Sequence, residues 1–562
     1  MIIRNLSSYI KDYGLHAAAV RAADRLLKRR AEEVSYDRWL QRSRKSSRDY
    51  TRMAKEKFAW NPVIAVKAFM NREDRTPFMQ SVNLQICRDV RPFRKCQDPD
   101  YILIVGTGCI LAPDLLWQAV NMLNDEGLTK SVLKDAPALI YFDSDRIGSD
   151  GRKTDPAFRP EYDLDLLESV NYMGEVVLVR ADLALEAGLP SDDASGLHKF
   201  LKKICASAHE QPGREGLGAV RHIPQILYHE ITDAESEETS SLMRDMTAGS
   251  GAPGSGTARR KEPLVSVLIP NKDHAQDLEK CIESLQKVNS WQNLEILILE
   301  NNSEDPETFA CYDRLCGTDD RIRVLKYGKP FNYSAVNNFG AEHAEGEYLL
   351  LLNNDTVILK EDSIARLAEL VSREDTGAAG ALLYYPDGSI QHAGIILGHG
   401  GIAGHAFAGE RSGRDLGSFP GLVYDHTHNV SAVTGACLMV SRKVWQEAGG
   451  MDEDLAVAFN DVDFCMRLRR HGLKILLCPQ AQLIHNESVS RGAEDSPEKV
   501  ARFHREIGIM ASRWEAELEA GDPFYNPNLT LTGRSWTCRD ELREKAKPYL
   551  KYLHSMAEGT KP

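Results

Sequence analysis

EGEYLLLLNNDTVI, residues 345 to 358, runs a continuous apolar stretch straight into Asn353-Asn354-Asp355. A short apolar run bounded by polar residues reads as a strand buried on both faces. A carboxylate at the end of such a strand stands where open α/β sheets bind their ligands. DPDYILIVGTGCIL, residues 98 to 111, has the same shape and aligns with the first stretch without a gap. Gly106, Thr107 and Gly108 there replace Asn353, Asn354 and Asp355. The pair predicts two related α/β domains, one with a polar strand end and one that has lost it.

Other strands extend the pattern. LVSVLIP (264 to 270), LEILILE (294 to 300) and IRVLKY (322 to 327) are apolar runs separated by helical stretches, as in a parallel sheet. They end on Pro270-Asn271-Lys272-Asp273 and on Glu300-Asn301-Asn302-Ser303. Together with Asn353-Asn354-Asp355 these polar ends predict one rim and one candidate site.

The repeat continues downstream. VLVRADLALEAGL (177 to 189) parallels LMVSRKVWQEAGG (438 to 450), and SGLHKFLKKIC (195 to 205) lies where NDVDFCMRLRR (460 to 470) would fall. Gly196 then faces Asp461, and His198 faces Asp463. Apolar positions persist while acids are lost, so residues 61 to 232 read as a worn, inactive copy. YFDSDRI keeps Asp143 and Asp145, which either bind a metal or are turn or surface acids; the missing partners favour the second reading.

Residues 1 to 60 read as a basic helical arm, for which a membrane-surface or docking role competes with a solvated one. Residues 233 to 262 turn from acidic to Gly-, Ser- and Ala-rich and read as a flexible linker. Residues 263 to 492 form the second α/β domain, and residues 493 to 562 a helical extension around GDPFYNPN. A net charge of -13 argues against a broad nucleic-acid footprint. The 11 cysteines show no metal-ligand spacing, which suits thiols in a reducing compartment. No apolar run reaches membrane-spanning length, and no signal-peptide core is present at the N-terminus. These features predict a cytoplasmic protein, peripheral at most.

The chemistry concentrates in a few residues. NDVDFCMRLRRHGLKI (460 to 475) reads as a helix start capped by Asn460. Asp461 sits at its positive end as a candidate base and Asp463 as a supporting anion; plain helix capping is the alternative. His485, ending ILLCPQAQLIH, either completes a metal site with Asp355, touches a phosphate or is structural. His392 and His405 lie among glycines that suit either ligand approach or turns. In FNYSAVNNFGAEHAEGEY, Asn332, Ser334, Asn337 and Asn338 make a polar helix face that can meet a sugar or phosphate. TGAC (434 to 437) reads as a turn bordering an acceptor cleft through Gly435 and Ala436. Neither a GxGxxG fingerprint nor a Walker A motif is present, so standard dinucleotide and P-loop chemistry fit poorly.

Taken in order, PLVSVLIPNKD, LILENNSED, FNYSAVNNFG, AEGEYLLLLNNDT, IQHAGIILG, VTGACLMVSRKVW, FNDVDFCMRLRRHG and LIHNESVSRG resemble a family 2 glycosyltransferase with the GT-A fold. The likeness is to bacterial transferases that build O-antigen, capsule or rhamnose-containing polysaccharides. YDRWL, YFDSDRIGSDGRKTDPAFRPEYDLDLL, NYMGEVVLVR and VRHIPQILYH extend it to the first domain, and DPFYNPNLT to the tail. The resemblance implies a GT-A nucleotide-diphospho-sugar transferase fold, a second degenerate GT-A-like domain and helical termini. It implies inverting transfer from a UDP-, GDP- or dTDP-sugar to a glycan or lipid-linked saccharide, with Mg2+ or Mn2+ and with other polysaccharide assembly proteins as partners. It places Pro270, Asn271, Lys272, Asp273, Glu300, Asn301, Asn337, Asn353 and Asn354 with the donor nucleotide, and Asp355 and His485 with the metal. Asp461 matches the acceptor-activating base; Gly435, Ala436 and Asp463 border the acceptor. Asn353 replaces the first acid of the Asp-any-Asp motif, and Glu300 stands where Asp is usual. A non-catalytic sugar-nucleotide or glycan-binding scaffold is the alternative, with a glycoside hydrolase behind it.

Overall fold

The computed structural model describes residues 34–69, 75–87, 90–191, 194–209, 219–232, 262–411, 418–486 and 496–540. The greater part of the basic arm, nearly all of the linker, the segment after Asn486 and the C-terminal residues from 541 lie outside the described residues.

Two mixed sheets carry the chain. The first contains β1 (Ile64–Ala68), β2 (Val90–Pro92), β3 (Tyr101–Val105), β4 (Cys109–Leu111), β5 (Leu139–Gly148), β6 (Lys153–Ala157), β7 (Val176–Arg180) and β8 (Val220–Thr232). The second contains β9 (Val265–Asn271), β10 (Leu294–Glu300), β11 (Ile322–Lys326), β12 (Tyr348–Leu352), β13 (Thr356–Ile358), β14 (Thr376–Tyr384) and β15 (Ile390–His392). A small hairpin, β16 (Ile395–Leu397) and β17 (Ala403–His405), stands apart from it. β18 (His428–Asn429), β19 (Cys437–Ser441) and β20 (Lys474–His485) complete the second sheet.

Strand order β2-β1-β3-β7-β5-β8-β4 in the first sheet repeats as β10-β9-β12-β19-β14-β20-β13 in the second. Every neighbouring pair keeps its sense. Single hydrogen bonds repeat as well. Gly106 N–H donates to Glu175 O at 2.7 Å, as Asn353 N–H does to Ala436 O at 3.1 Å. Ile231 N–H donates to Gly108 O at 2.8 Å, as Asn486 N–H does to Asp355 O at 3.0 Å. The register therefore puts Gly108 at the place of Asp355. Cys109 pairs with Glu230 as Thr356 pairs with His485, so Glu230 takes the histidine's place. This is a duplicated GT-A-like α/β fold with helical elements at both termini. The apolar runs do pair in parallel as β11, β10, β9 and β12, but the sheet as a whole is mixed: β19 enters antiparallel between β12 and β14, and β14 pairs in parallel with β20.

Alternation along each strand fills cores on both faces. In the second sheet Val265, Val267 and Ile269 pack on one side, and Leu268 with Leu349 and Leu351 on the other. Tyr101, Leu103 and Val105 oppose Ile102 and Ile104 in the first sheet. The sheets are joined by polar contacts: Asp163 accepts from both the backbone and the amide of Asn429, and Arg373 pairs with Asp165 at 2.5 Å.

Two more expectations change. Asp143 and Asp145 are not surface acids; they lie within β5 at 0% and 1% exposure. Asp143 bonds His222 at 2.8 Å and Asn526 at 2.8 Å, and Asp145 bonds His229 and the Tyr36 hydroxyl. The end of the N-terminal arm is docked rather than solvated, because Trp39 stacks edge-on against Phe158 at 5.1 Å.

Candidate functional site

The carboxyl ends of β9, β10 and β12 meet at one rim. At the opposite, amino ends of β9 and β12 the backbones approach closely, where a Cβ at Gly346 would fall 2.6 Å from Ser266 N. Asn271 anchors the rim, donating to Tyr312 OH at 2.8 Å and accepting from Asn354 at 2.6 Å. Asn301 donates to the carbonyls of Tyr327 and Lys329 at 3.0 and 2.8 Å. Glu300 is buried; it accepts from Ser303 N–H and Ser303 Oγ, both at 2.6 Å, and from the Tyr312 hydroxyl. Asp273 adopts a left-handed φ of 55° and accepts from Glu304 and Asp305 N–H. Those bonds, Asp305's first, hold its carboxyl below the usual range against a small opposing effect of burial. Pro270 is half-buried at the strand end and Lys272 is exposed.

Beside this rim lies a cleft of about 210 Å³ lined by Asn353, Asp355, Gly435, Ala436, Asp461 and His485, among others. His485 is oriented from behind. Gln391 Nε2 donates to the backbone carbonyl of His485 at 3.3 Å, which turns Gln391 Oε1 toward His485 Nδ1 at 2.7 Å. Nδ1 is then the protonated nitrogen, and Nε2 keeps its lone pair. That nitrogen receives the Asn353 amide at 3.1 Å and faces Asp355 Oδ1 at 3.2 Å. Asp355 Oδ1 is buried without a hydrogen bond. Two electron-rich atoms so close are stable with a cation between them or with a proton on Nε2. Among the described residues no three His, Cys, Asp or Glu side chains gather as a metal cluster. The groups available to a cation at this point are one carboxylate and one imidazole.

Asp461 lines the same cleft. Its Oδ2 accepts from Gly435 N–H at 2.9 Å and its Oδ1 from Val462 N–H at 2.8 Å. Gly435 O in turn accepts from the Tyr333 hydroxyl at 2.7 Å, and a Cβ at Gly435 would lie 2.9 Å from that oxygen. The turn thus needs glycine, and it pins the carboxylate. The helix Asn460–Arg470 begins at Asn460, but its cap is Phe459 in a left-handed conformation and not Asn460. His392 is buried behind the cleft, its Nδ1 2.8 Å from His405 Nδ1. Burial first, then His405 and His485, push His392 well below the usual histidine range, so it is neutral.

Five expected residues are elsewhere. Asp463 does not border the acceptor side: it is 0% exposed and bonds Arg467, Arg513 and Trp514, tying the C-terminal helix to the helix Asn460–Arg470. Asn337 is fully buried within its own helix, donating to Tyr333 O at 2.8 Å, so it is not presented to a ligand. Asn332, Ser334 and Asn338 face inward too, bonding the backbone of Glu453, Leu455 and Met451. The polar helix face holds the loop that leads to Asp461. Gln391, Tyr333 and Glu506 were missed. Gln391 sits next to a histidine the motif already marked; Glu506 lies far along the chain with no local signal.

Comparison with known proteins agrees with this fold. Residues 266–445 match the model of Glycosyl transferase family 2. An uncharacterised protein of Sinorhizobium fredii, y4gI, is 33% identical over 77% of this chain and 48% of its own length. The O-antigen biosynthesis protein RfbC of Myxococcus xanthus is 33% identical over 70% of this chain and 32% of its own. An N-acetylglucosaminyl-diphospho-decaprenol L-rhamnosyltransferase of Mycobacterium tuberculosis is 26% identical over 46% of this chain and 87% of its own. The chain spans half or less of the first two relatives. It is a glycosyltransferase-like chain related to bacterial sugar-transfer proteins. No described helix is long and apolar enough to cross a membrane.

Proposed function

We propose that this chain transfers a sugar, with inversion, from a nucleoside-diphosphate donor to a hydroxyl of a glycan or lipid-linked glycan. The observation that carries the reading is one cleft lined by Asp355, by His485 and by the backbone-pinned Asp461. Residues 263 to 492 are the catalytic unit in this reading, and residues 61 to 232 a degenerate copy linked by 233 to 262. Gly108 and Glu230 at the places of Asp355 and His485 support the loss of activity in that copy.

Asn271, Asn301, Asn354, Glu300 and the 270 to 273 loop receive the nucleotide. Asp355 and His485 would hold a divalent cation, Mg2+ or Mn2+, with Asn353 beside them. When bound, that cation offsets charge on the departing nucleoside diphosphate. Gln391 fixes the tautomer that leaves Nε2 unprotonated, so that its lone pair would exchange the Asn353 amide for that cation. Asp461 accepts the acceptor's hydroxyl proton as the oxygen attacks the anomeric carbon. A single base suffices for one displacement, so no second carboxylate is required.

Likeness to an O-antigen biosynthesis protein and an L-rhamnosyltransferase supports work in cell-surface polysaccharide assembly. We place that work at the cytoplasmic face of the membrane, with the basic arm as a surface contact. The test is a screen of UDP-, GDP- and dTDP-sugars with and without Mn2+. Metal-dependent binding and release of nucleoside diphosphate support transfer; none with any donor removes the reading. Asn353 favours one rival, a non-catalytic glycan or sugar-nucleotide scaffold, since its neutral amide occupies an acid's place. Binding without turnover in the same screen would select it.

A further inference from the structure

We infer that Phe459 and Phe503 form an aromatic shelf on the acceptor side of the cleft, on which the apolar face of a pyranose ring lies. The inference rests on the sugar-transfer reading and deepens it by naming what the helix Pro497–Arg513 contributes.

Phe459 borders the cleft two residues before Asp461. Its φ is 61°, a left-handed conformation that a bulky residue adopts only when its surroundings impose it. Glu506 is what imposes it. That carboxylate is 0% exposed and accepts from Val457 N–H at 3.0 Å and Ala458 N–H at 3.1 Å. Both donors lie immediately before Phe459, so the C-terminal helix dictates where its ring goes.

The ring stacks on Phe503, with centroids 5.8 Å apart and planes 26° apart. Phe503 is three residues before Glu506, on the same helix face, and remains 41% exposed. A lone exposed phenylalanine would need no explanation. This one extends the surface of a cleft-lining ring that is held in a strained conformation, beside the carboxylate proposed as base.

The chemistry selects the occupant. The C–H groups on one face of a pyranose carry small positive charge and meet the negative face of an aromatic ring. Its hydroxyls then point outward at the ring's edge, toward Asp461. A lipid tail would want a longer apolar track, but Arg502, His504 and Arg505 flank Phe503.

The experiment uses the full chain with Mg2+ and saturating UDP, GDP or dTDP, probed by saturation-transfer NMR with a panel of methyl glycopyranosides. Phe503 is exposed, so its variants are expected to fold. The expected result is glycoside binding that weakens about fivefold in Phe503→Ala and in Phe503→Leu, and persists in Phe503→Trp. Nucleotide affinity stays unchanged in all three. Unchanged glycoside binding in Phe503→Ala overturns the shelf, and so does full retention by Phe503→Leu, which would mark a merely apolar contact. Nucleotide binding with no glycoside bound by the unaltered protein also refutes the shelf while leaving sugar transfer standing. Absence of any nucleotide binding defeats the sugar-transfer reading instead.

Discussion

His485 Nε2 faces Asp355 Oδ1 at 3.2 Å, with its own Nδ1 committed to Gln391. The bond from behind decides what the front of the ring can do. Replacing Gln391 by Glu would keep an acceptor for Nδ1–H and make the ring more basic; Gln391→Leu would free the ring to turn. Gln391→Leu should weaken Mn2+-dependent nucleotide binding about 10- to 100-fold, the usual worth of an outer partner of a metal ligand. Asp355→Asn should weaken it at least as much, with partial rescue by added Mn2+. Titration calorimetry of nucleoside diphosphate with and without Mn2+ checks both. Unaltered metal dependence in Asp355→Asn would remove Asp355 from the metal site.

Asp461 is expected to act on the acceptor and not the donor. Asp461→Asn keeps one of the two acceptors, for either Gly435 or Val462 N–H, and turns its NH2 toward the other, so the turn should loosen by one hydrogen bond and folding is checked by circular dichroism beside turnover. Turnover should fall by about two to four orders of magnitude, while nucleotide binding barely moves. Steady-state kinetics alongside calorimetry separates the two quantities. Loss of nucleotide affinity in this variant would place Asp461 on the wrong substrate.

The strands and the repeat were legible because buried strands are written as uninterrupted apolar runs, and β10 and β12 begin and end where those runs do. Strand direction was not: an apolar run does not say whether its neighbour runs parallel, so β19 entered unseen. Asp461 and Asp463 look alike on paper, two acids in one helical turn. Only packing distinguishes them, because one side of that turn faces the cleft and the other faces Arg513 and Trp514. Glu506 could not be read at all, since its partners are backbone N–H groups some 50 residues earlier. Asp143 misled for the opposite reason. Acids at a strand end usually meet water, but here His222, Arg159 and Asn526 close over it.

That closure makes Asp143 a stability residue with a signed pH dependence. Burial alone would lower the basicity of His222, but the charge and hydrogen bond of Asp143, together with those of Glu161, outweigh it and raise its pKa. A raised histidine pKa contributes stability that is full below the unfolded value, about 6.5, and is lost as pH climbs through the folded value. Asp143→Asn should therefore cost about 3 kcal/mol in mild acid, the scale of a broken buried pair. The cost should shrink in alkaline buffer. Thermal unfolding of both proteins across that range tests the sign. Turnover per folded molecule should hold, because Asp143 lies in the first sheet; a folded variant without turnover would make that sheet part of the site.

The sharpest test of the proposal that the first domain is a degenerate copy is steric. Gly106 sits where the second domain has Asn353, yet a Cβ there would fall 2.3 Å from Glu175 Oε2 and 2.8 Å from Glu175 Cβ. Glu175 is the counterpart of Ala436 by the shared bond to the strand end. Burial first, then Glu230, pushes its carboxyl up to about 7, so near neutrality it is partly protonated within the space that is a cleft in the other domain. Gly106→Ala should destabilise the chain by about 1 to 3 kcal/mol through overpacking. Glu175→Gly removes every side-chain atom that the new Cβ would meet and should relieve the clash, so the double variant should recover stability relative to Gly106→Ala alone. Chemical denaturation of the four proteins gives the coupling directly. Strict additivity would mean that Glu175 does not fill the place of the lost site, and that the copy is blocked by something other than its own side chains.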